Sequence, residues 1–298
     1  MNLLHAAKSR ARSVVQRSVA SGTEEIRYVT RMSAGFSKGQ LARAGRRLDQ
    51  QDTRSWEFSA FSQNGEDGVI EVLLERVKNP NRYFIEVGAS DGLENNVSYL
   101  AYVKKFCGVM VEGDSRLSAK ARRQLQPHNW GVEFLNMMVE PSSAGDLMVG
   151  CLEPAPDFLS LDIDGNDYHV VKALLEAGLR PKVLCVEYNS AFGPDRALTI
   201  PYTRGFVYQT AHPSQLYYGS SIASWRYLLE QHGYAFVTVE TNGVNAFFVD
   251  PEAVSIEIEG LRRLEFAENF AQRQRFRGDW TMQFRQLQGM QLLSADEV

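Results

Sequence analysis

Two short stretches carry most of the polar chemistry in this chain. One is Asp162-Ile163-Asp164-Gly165-Asn166-Asp167-Tyr168-His169, with three carboxylates in six residues. The other is Glu187-Tyr188-Asn189, about twenty positions later. Each follows an apolar run, 157–161 and 182–186, that reads as a strand. Adjacent parallel strands would set the two acid groups side by side. Hard oxygen ligands gathered this way suit Mg²⁺, Mn²⁺ or Ca²⁺. A carboxylate cluster that meets a cationic ligand directly suits them equally.

A third stretch sets what such a site would hold. Tyr83-Phe-Ile-Glu-Val-Gly-Ala-Ser-Asp-Gly92 is a strand running into a small-residue turn. In open α/β sheets a ligand lies outside the carboxyl end of such strands. Gly88, Ala89 and Gly92 allow close backbone approach. Glu86 and Asp91 bring negative charge, where a diphosphate would need bare amides. Carboxylates here disfavour NAD or ATP and favour a ligand with a cation and hydroxyls, as S-adenosylmethionine has.

The elements that must position these groups alternate. A helix from about Ser62, with Glu66 near the capping-box position, has Val69, Ile70, Leu73, Leu74 and Val77 on one face. Strands follow at 83–87, 108–112, 131–135, 157–161 and 182–187, and helices at 115–125 and 167–177, the latter closed by Gly178. Residues 234–240 and 244–249 flank Thr241-Asn242-Gly243, a hairpin signal. The fold class is therefore α/β. It is a doubly wound, mostly parallel seven-stranded sheet, Rossmann-like, ending in an antiparallel hairpin, with helical N- and C-terminal extensions. The expected division is a basic helical arm over 1–55, the sheet domain over 56–250 and a helical appendage over 251–298.

Composition bounds the rest. The chain has 298 residues, 44% hydrophobic and 23% charged, with net charge −4. That is ordinary globular material with no global attraction to nucleic acid. Cys107, Cys151 and Cys185 have no ligand spacing and read as buried thiols of a reducing, cytoplasmic protein. No secretory h-region or membrane-length apolar run occurs. Residues 1–50 are basic, from Lys8, Arg10, Arg12, Arg17, Arg27, Arg31, Lys38, Arg43, Arg46 and Arg47. Leu3, Leu4, Ala7, Val14, Val15 and Val19 recur at helical spacing. Such an arm lies on an anionic membrane surface or a partner, or stays solvated. The appended helices make a homodimer reasonable.

Residues 58–250 resemble the FkbM-like group of S-adenosylmethionine-dependent class I methyltransferases. The segments carrying the resemblance are Phe61-Ser62-Gln63-Asn64-Gly65-Glu66-Asp67-Gly68, the Glu86–Gly92 turn, Val111-Glu112-Gly113-Asp114, Ser160-Leu161-Asp162-Ile163-Asp164-Gly165 and Val186-Glu187-Tyr188-Asn189. The resemblance implies Glu112 on the ribose hydroxyls and Asn136 at the adenine. It puts Gly88, Ser90, Asp91, Glu86 and Asp162 around the methionine end, with Gln63 and Asn64 closing over it. The acid stretches are also similar to sugar-modifying O-methyltransferases that hold a divalent ion. That similarity implies Asp164 and Glu187 as ligands of Mg²⁺ or Mn²⁺, with Asn189 or Asp162 third. It leaves Asp167 or His169 to take the proton of a sugar hydroxyl. Asn166 stands where that motif has its second Asp, and the later acid pair is Glu-Tyr-Asn here.

The long stretch 190–219 is rich in aromatic residues and leaves from Asn189. It is expected to be an acceptor-binding lid. Tyr188, Tyr202, His212, Tyr217 and Tyr218 would contact a saccharide, with Asn245 adding a polar contact. Two other readings stand beside this one. Asp162 and Asp164 resemble the nucleophile motif of haloacid-dehalogenase-type phosphatases. A non-catalytic scaffold on a methyltransferase fold is the other.

Overall fold

The computed structural model describes residues 2–298, with side chains from residue 22 onward. The strands are β1 Tyr83–Val87, β2 Cys107–Glu112, β3 Val132–Asn136, β4 Phe158–Leu161, β5 Val183–Glu187, β6 Leu198–Thr199, β7 Ala235–Val239, β8 Asn245–Val249 and β9 Leu293–Ser294. The α-helices are α1 Asn2–Gly45, α2 Glu66–Leu74, α3 Ser115–Leu125, α4 Ala144–Gly150, α5 Asp167–Glu176, α6 Tyr208–Ala211, α7 Ile222–Gln231, α8 Phe270–Phe276 and α9 Trp280–Arg285.

Seven strands form one sheet in the order β3-β2-β1-β4-β5-β8-β7. Strand β8 runs antiparallel to both its neighbours, and the other pairings are parallel. The order reverses direction between β1 and β4, which opens a crevice at their carboxyl ends. This is the mostly parallel, Rossmann-like arrangement ending in a hairpin that the sequence predicts. Gly243, with φ +71°, supplies the left-handed residue that the β7–β8 turn requires.

Strand alternation decides which side chains share a face. Phe84, Phe158, Val183, Cys185, Phe247 and Val249 pack with α2 in one apolar layer. Ile85, Leu159, Leu184 and Phe248 pack with α5 and α7 in the other. Counting on in twos, Glu86, Asp162, Glu187 and Asn245 all fall on the α2 side at the sheet's end. In register, Leu161 pairs Val186, so Asp162 and Glu187 leave their strands as neighbours.

Helix α2 differs in its start from the capping box expected at Ser62. Gly65, at φ +102°, occupies its N-cap, and the helix begins at Glu66. Ser62 still contributes, because its Oγ accepts the Asp67 N–H at 3.0 Å. The Asp67 carboxylate in turn accepts the amides of Ala60, Phe61 and Ser62.

The basic arm is not solely a solvated helix. The apolar spacing expected over residues 3–19 lies outside the described side chains, but residues 22–45 dock on the body. Tyr28 is buried, and its hydroxyl donates to the Gln124 carbonyl and accepts from the Tyr102 hydroxyl. Gly35 and Gly39 press against Phe61 and Ala60 so closely that a Cβ at either would sit 2.7–2.8 Å from them. Arg43, Arg46 and Lys104 surround the buried carboxylate of Glu71.

Past Pro251 the chain is α-helical only in α8 and α9, with a 3-10 turn at Ala295–Glu297. Its tail closes on the 190–219 stretch, where β6 pairs β9 and Phe192, Ile200 and Leu216 pack with Leu287. Cys107 is exposed rather than buried, because the first residue of β2 lies at the sheet's rim. Among the described residues no helix is long and apolar enough to cross a membrane.

Candidate functional site

A cleft of about 330 Å³ opens at the carboxyl ends of β1, β2 and β4. Its lining includes Gly88, Ser90, Glu112, Gly113, Met137, Met138, Val139, Glu140, Asp162 and Asp164. A second recess of about 110 Å³ adjoins it through Gly88 and Asp162, which line both. Gln63, Asn64, Glu66, Glu86, Glu94, Asn96 and Asn245 line that recess. Together they fall in the size range of small-molecule sites, about 300–1,000 Å³.

Gly88 is where backbone conformation fixes the site. Its φ is +91°, and a Cβ there would lie 1.8 Å from the Asp162 carbonyl oxygen. Only glycine lets the β1 turn pass that close to the end of β4. The Glu112 carboxylate is oriented by two amides, Ser90 N–H and Asp114 N–H, each at 2.8 Å. Its remaining lone pairs are available to a diol. Asn136 is placed differently from the adenine contact expected of it. It is exposed, and its Nδ2 donates to the carbonyls of Glu112 and Gly113, so the residues reaching the cleft are Met137 to Glu140.

The recess is acidic and incompletely satisfied. Glu86 is 3% exposed, and its Oε2 has no hydrogen-bond partner. Burial, and then the charge of Asp162, pushes its carboxyl up to about 8, although Ser160 and the Asn96 amide hold it down. Asn245 donates its Nδ2 to Glu66 at 2.8 Å, which fixes the amide's orientation and leaves Oδ1 buried and unpartnered. Leaving such acceptors unpaired costs roughly 1–3 kcal/mol each. Asn245 thus lines this recess rather than the 190–219 stretch it was expected to face. Gln63 and Asn64 line it too. Gln63 Nε2 reaches Glu94 at 3.0 Å, and Asn64 donates its amide and Nδ2 to Glu66. Asp91 is spent elsewhere, since its carboxylate takes ion pairs from Arg31 at 2.8 Å and Lys120 at 3.1 Å.

Beyond the recess, Asp162, Asp167 and Glu187 bring one carboxylate oxygen each within 4.8 Å of one another. Burial, reinforced by the neighbouring acids, raises Asp162 and drives Glu187 well above the usual carboxylate range, and the two share a hydrogen bond. Asp167 opens α5 and accepts the amides of Ile163 and Gly165, yet burial still lifts it to about 6. Asp164 lines the cleft at φ +56°, outside this trio, and burial raises it too.

Several expected site residues do structural work instead. Asn189 is fully buried. Its Oδ1 accepts the Ala191 amide and its Nδ2 donates to the carbonyls of Leu216 and Tyr218, so nothing remains for a metal. Of the two residues expected third, Asp162 alone lies in the carboxylate trio. Tyr188 is buried with its hydroxyl donating to the Ala267 carbonyl. His169 Nε2 donates to the Ile200 carbonyl at 2.8 Å, which fixes the tautomer, and the ring does not line the cleft. Tyr217 donates to the Gln291 carbonyl, Tyr218 receives Gln272 Nε2, and His212 pairs with Ser214. Tyr202 remains 40% exposed beside His169.

Of the 190–219 stretch, Gly205 and Phe206 reach the cleft. Asn166 Nδ2 donates to the Thr203 carbonyl at 2.8 Å, and the Thr203 amide returns a bond to Asn166 Oδ1. This brings Gly205 and Phe206 over the cleft, with Phe206 lying on Gly165. Phe206 is one of the aromatic residues of the 190–219 stretch, and neither it nor Asn166 was singled out in the sequence as a site residue. Asn166 had shown only as a departure from an acid motif.

No protein-family model matches the chain, and no curated protein matches it. Among solved structures it is similar to magnesium protoporphyrin IX methyltransferase from Synechocystis PCC 6803 with bound SAM. That match has 12% identity over 62% of this chain and 77% of that one, with TM-score 0.40. It is similar to the O-methyltransferase from Bacillus cereus in complex with SAH at 13% identity, over 72% and 89% of the chains, TM-score 0.40. A third is the SAH-bound Podospora anserina methyltransferase, at 14% identity over 72% and 87%, TM-score 0.42. The strand order and the residues of this chain carry the functional argument; these likenesses do not.

Proposed function

We propose that this protein is an S-adenosylmethionine-dependent methyltransferase that acts on a hydroxyl group, in keeping with the FkbM-like resemblance. The observation that carries the reading is the pair of buried, unpartnered acceptors, Glu86 Oε2 and Asn245 Oδ1, in a recess continuous with the cleft above β2. Both atoms call for a donor with several hydrogens, and a carboxylate beside them calls for positive charge. An ammonium group on an amino-acid tail meets both demands. No lysine or arginine lines either cavity among the described residues, which disfavours a phosphate ester and with it the phosphatase reading.

S-adenosylmethionine, when bound, supplies an electrophilic methyl group on a sulfonium. Glu112 would accept from the ribose hydroxyls, and Met137 to Val139 would flank the adenine. Glu86 and Asn245 would hold the ammonium, and Gly88 would let the chain pass close beside them. Asp162 and Glu187 would face the reacting end. Their shared proton makes the pair a store that takes up one more when a hydroxyl loses its own, and Asp164 lies beside the cleft to relay it. Much of the rate would come from holding donor and acceptor in line.

The same trio, Asp162, Asp167 and Glu187, has oxygens close enough to hold Mg²⁺ or Mn²⁺, and metal assistance is part of the proposal. A bound cation would replace the proton that Asp162 and Glu187 share and would lower the pKa of an acceptor hydroxyl, leaving Asp164 as the base. The proposed acceptor is a saccharide. Its ring would lie under Phe206, with exposed Tyr202 on the same loop. Transfer of radiolabelled methyl from S-adenosylmethionine to a panel of saccharides, with and without Mn²⁺, tests the reading. Label in a saccharide that is lost in Asp162→Asn supports it. Label in no saccharide, despite cofactor binding, rejects the acceptor class.

A further inference from the structure

The small recess has two walls, and both are held from outside the sheet. One wall is Ser62 to Glu66, and the other is Glu94 to Asn96. They meet at one bond, from Gln63 Nε2 to Glu94 Oε1 at 3.0 Å. Helix α1 grips each of them. Its Gly35 and Gly39 seat on Ala60 and Phe61, directly before the first wall. Its Arg31 donates Nη1 to Asp91 at 2.8 Å and Nη2 to Glu94 at 2.7 Å, at the base of the second. The fork of one guanidinium therefore fixes the turn that starts at Ser90, whose left-handed φ of +50° no glycine relieves.

We infer that Arg31 is a positioning residue for cofactor binding, and that α1, through it, sets the affinity of the site. This rests on the cofactor reading above. Arg31 does not line either cavity, so it acts through Glu94 and Asp91. It does so in two ways. It keeps Glu94 turned toward Gln63, which spans the two walls. It also neutralises two carboxylates whose repulsion from Glu66, Glu86 and Asp162 would otherwise push the second wall outward. Lys120 pairs with Asp91 from α3, so loss of Arg31 leaves Glu94 as the unpaired acid. A lysine at position 31 reaches one carboxylate at a time and lacks the fork.

The test compares wild type, Arg31→Met, Arg31→Lys and Glu94→Gln, with the double variant Arg31→Met/Glu94→Gln. Two readouts are taken on the full chain. The first is ligand-free amide hydrogen exchange over residues 90–96 and 60–66. The second is the Kd for S-adenosylhomocysteine. Arg31→Met is expected to speed exchange in both segments and weaken binding about fivefold, the scale of one well-placed ion pair. Arg31→Lys should fall between. The double variant should be no weaker than the worse single one, because both changes break the same contact. Unchanged exchange at 90–96 and 60–66 in Arg31→Met overturns the inference whatever the protein binds. Faster exchange with an unchanged Kd overturns the link to affinity. Faster exchange in a wild-type background that binds no S-adenosylhomocysteine sinks the cofactor reading and with it the affinity role, and leaves the wall contact as the surviving result.

Discussion

Glu86 on β1 and Asn245 on β8 each leave one buried oxygen unpaired in the same recess, although two strands separate theirs in the sheet. The coincidence follows from strand parity, which turns both side chains to the α2 side. It also follows from Glu66, which takes the Asn245 Nδ2 and so leaves an oxygen, not an N–H, unpaired in the recess. With Glu86 ionised, the two acceptors have no donor and form a site for one that arrives with the ligand.

Stability of the ligand-free protein should fall as pH rises from about 5 to 8. Glu86 is held near 8 and Asp167 near 6 in the folded chain, against ordinary carboxylate values when unfolded. Asp162, Glu187 and Glu240 are raised as well. Between the unfolded and folded pKa values the folded state binds more protons, so its advantage is present at low pH and lost as the pH climbs through that window. Thermal melts across pH 5 to 9 check this. Glu86→Gln should flatten the upper part of the curve, and an unchanged slope would show that Glu86 is not the titrating group.

Gly88→Ala should lower stability by about 2 kcal/mol or more, since the side chain meets the Asp162 carbonyl in a left-handed conformation. It should also abolish cofactor binding, because β1 and β4 must separate to admit the methyl. Gly178→Ala, at φ +101° with open space around it, carries the conformational cost alone and should leave binding intact. Urea unfolding and ligand titration of the pair separate the two effects.

Asp162→Asn and Glu187→Gln should each reduce methyl transfer by about 10²- to 10⁴-fold, the range for a lost acid–base group. Affinity for S-adenosylhomocysteine should stay within a few-fold in Glu187→Gln, whose side chain lies beyond the recess. Mn²⁺ titration of wild type and Asp162→Ala by calorimetry tests the metal. Heat from the wild type alone supports it. Heat unchanged in Asp162→Ala would place any cation elsewhere.

Asn166→Ala should free the lid. Both bonds between Asn166 and Thr203 are lost, and with them the anchor that brings Phe206 over the cleft. The expected result is a raised KM for acceptor, with the Kd for S-adenosylhomocysteine changed much less. Equal loss of both would mean that the loop belongs to the cofactor site.

The sheet was legible because its signals are local. Apolar runs ending in acids, Gly88 in a small-residue turn and Asn242-Gly243 between β-rich runs each determine their own conformation. The acids of the site were legible for the same reason, as they are the residues that end the strands. What stayed hidden depends on partners far along the chain. Asp91 reads as a ligand contact until Arg31, sixty residues earlier, is placed on it. Asn189 has the right type and position for a metal ligand, but its amide holds Leu216 and Tyr218. The tyrosines of the 190–219 stretch are spent on the C-terminal tail, which no local pattern announces. The arm's docking through Gly35 and Gly39 was equally silent, since small residues on a basic helix mark no particular partner.

The most direct measurement is calorimetric titration of S-adenosylhomocysteine into wild type and Glu86→Gln at pH 8. The account predicts micromolar binding to wild type, weakened roughly 10- to 100-fold by the substitution, the scale of a lost charge-assisted hydrogen bond. Absence of binding to wild type, or equal affinity in the two proteins, would contradict it.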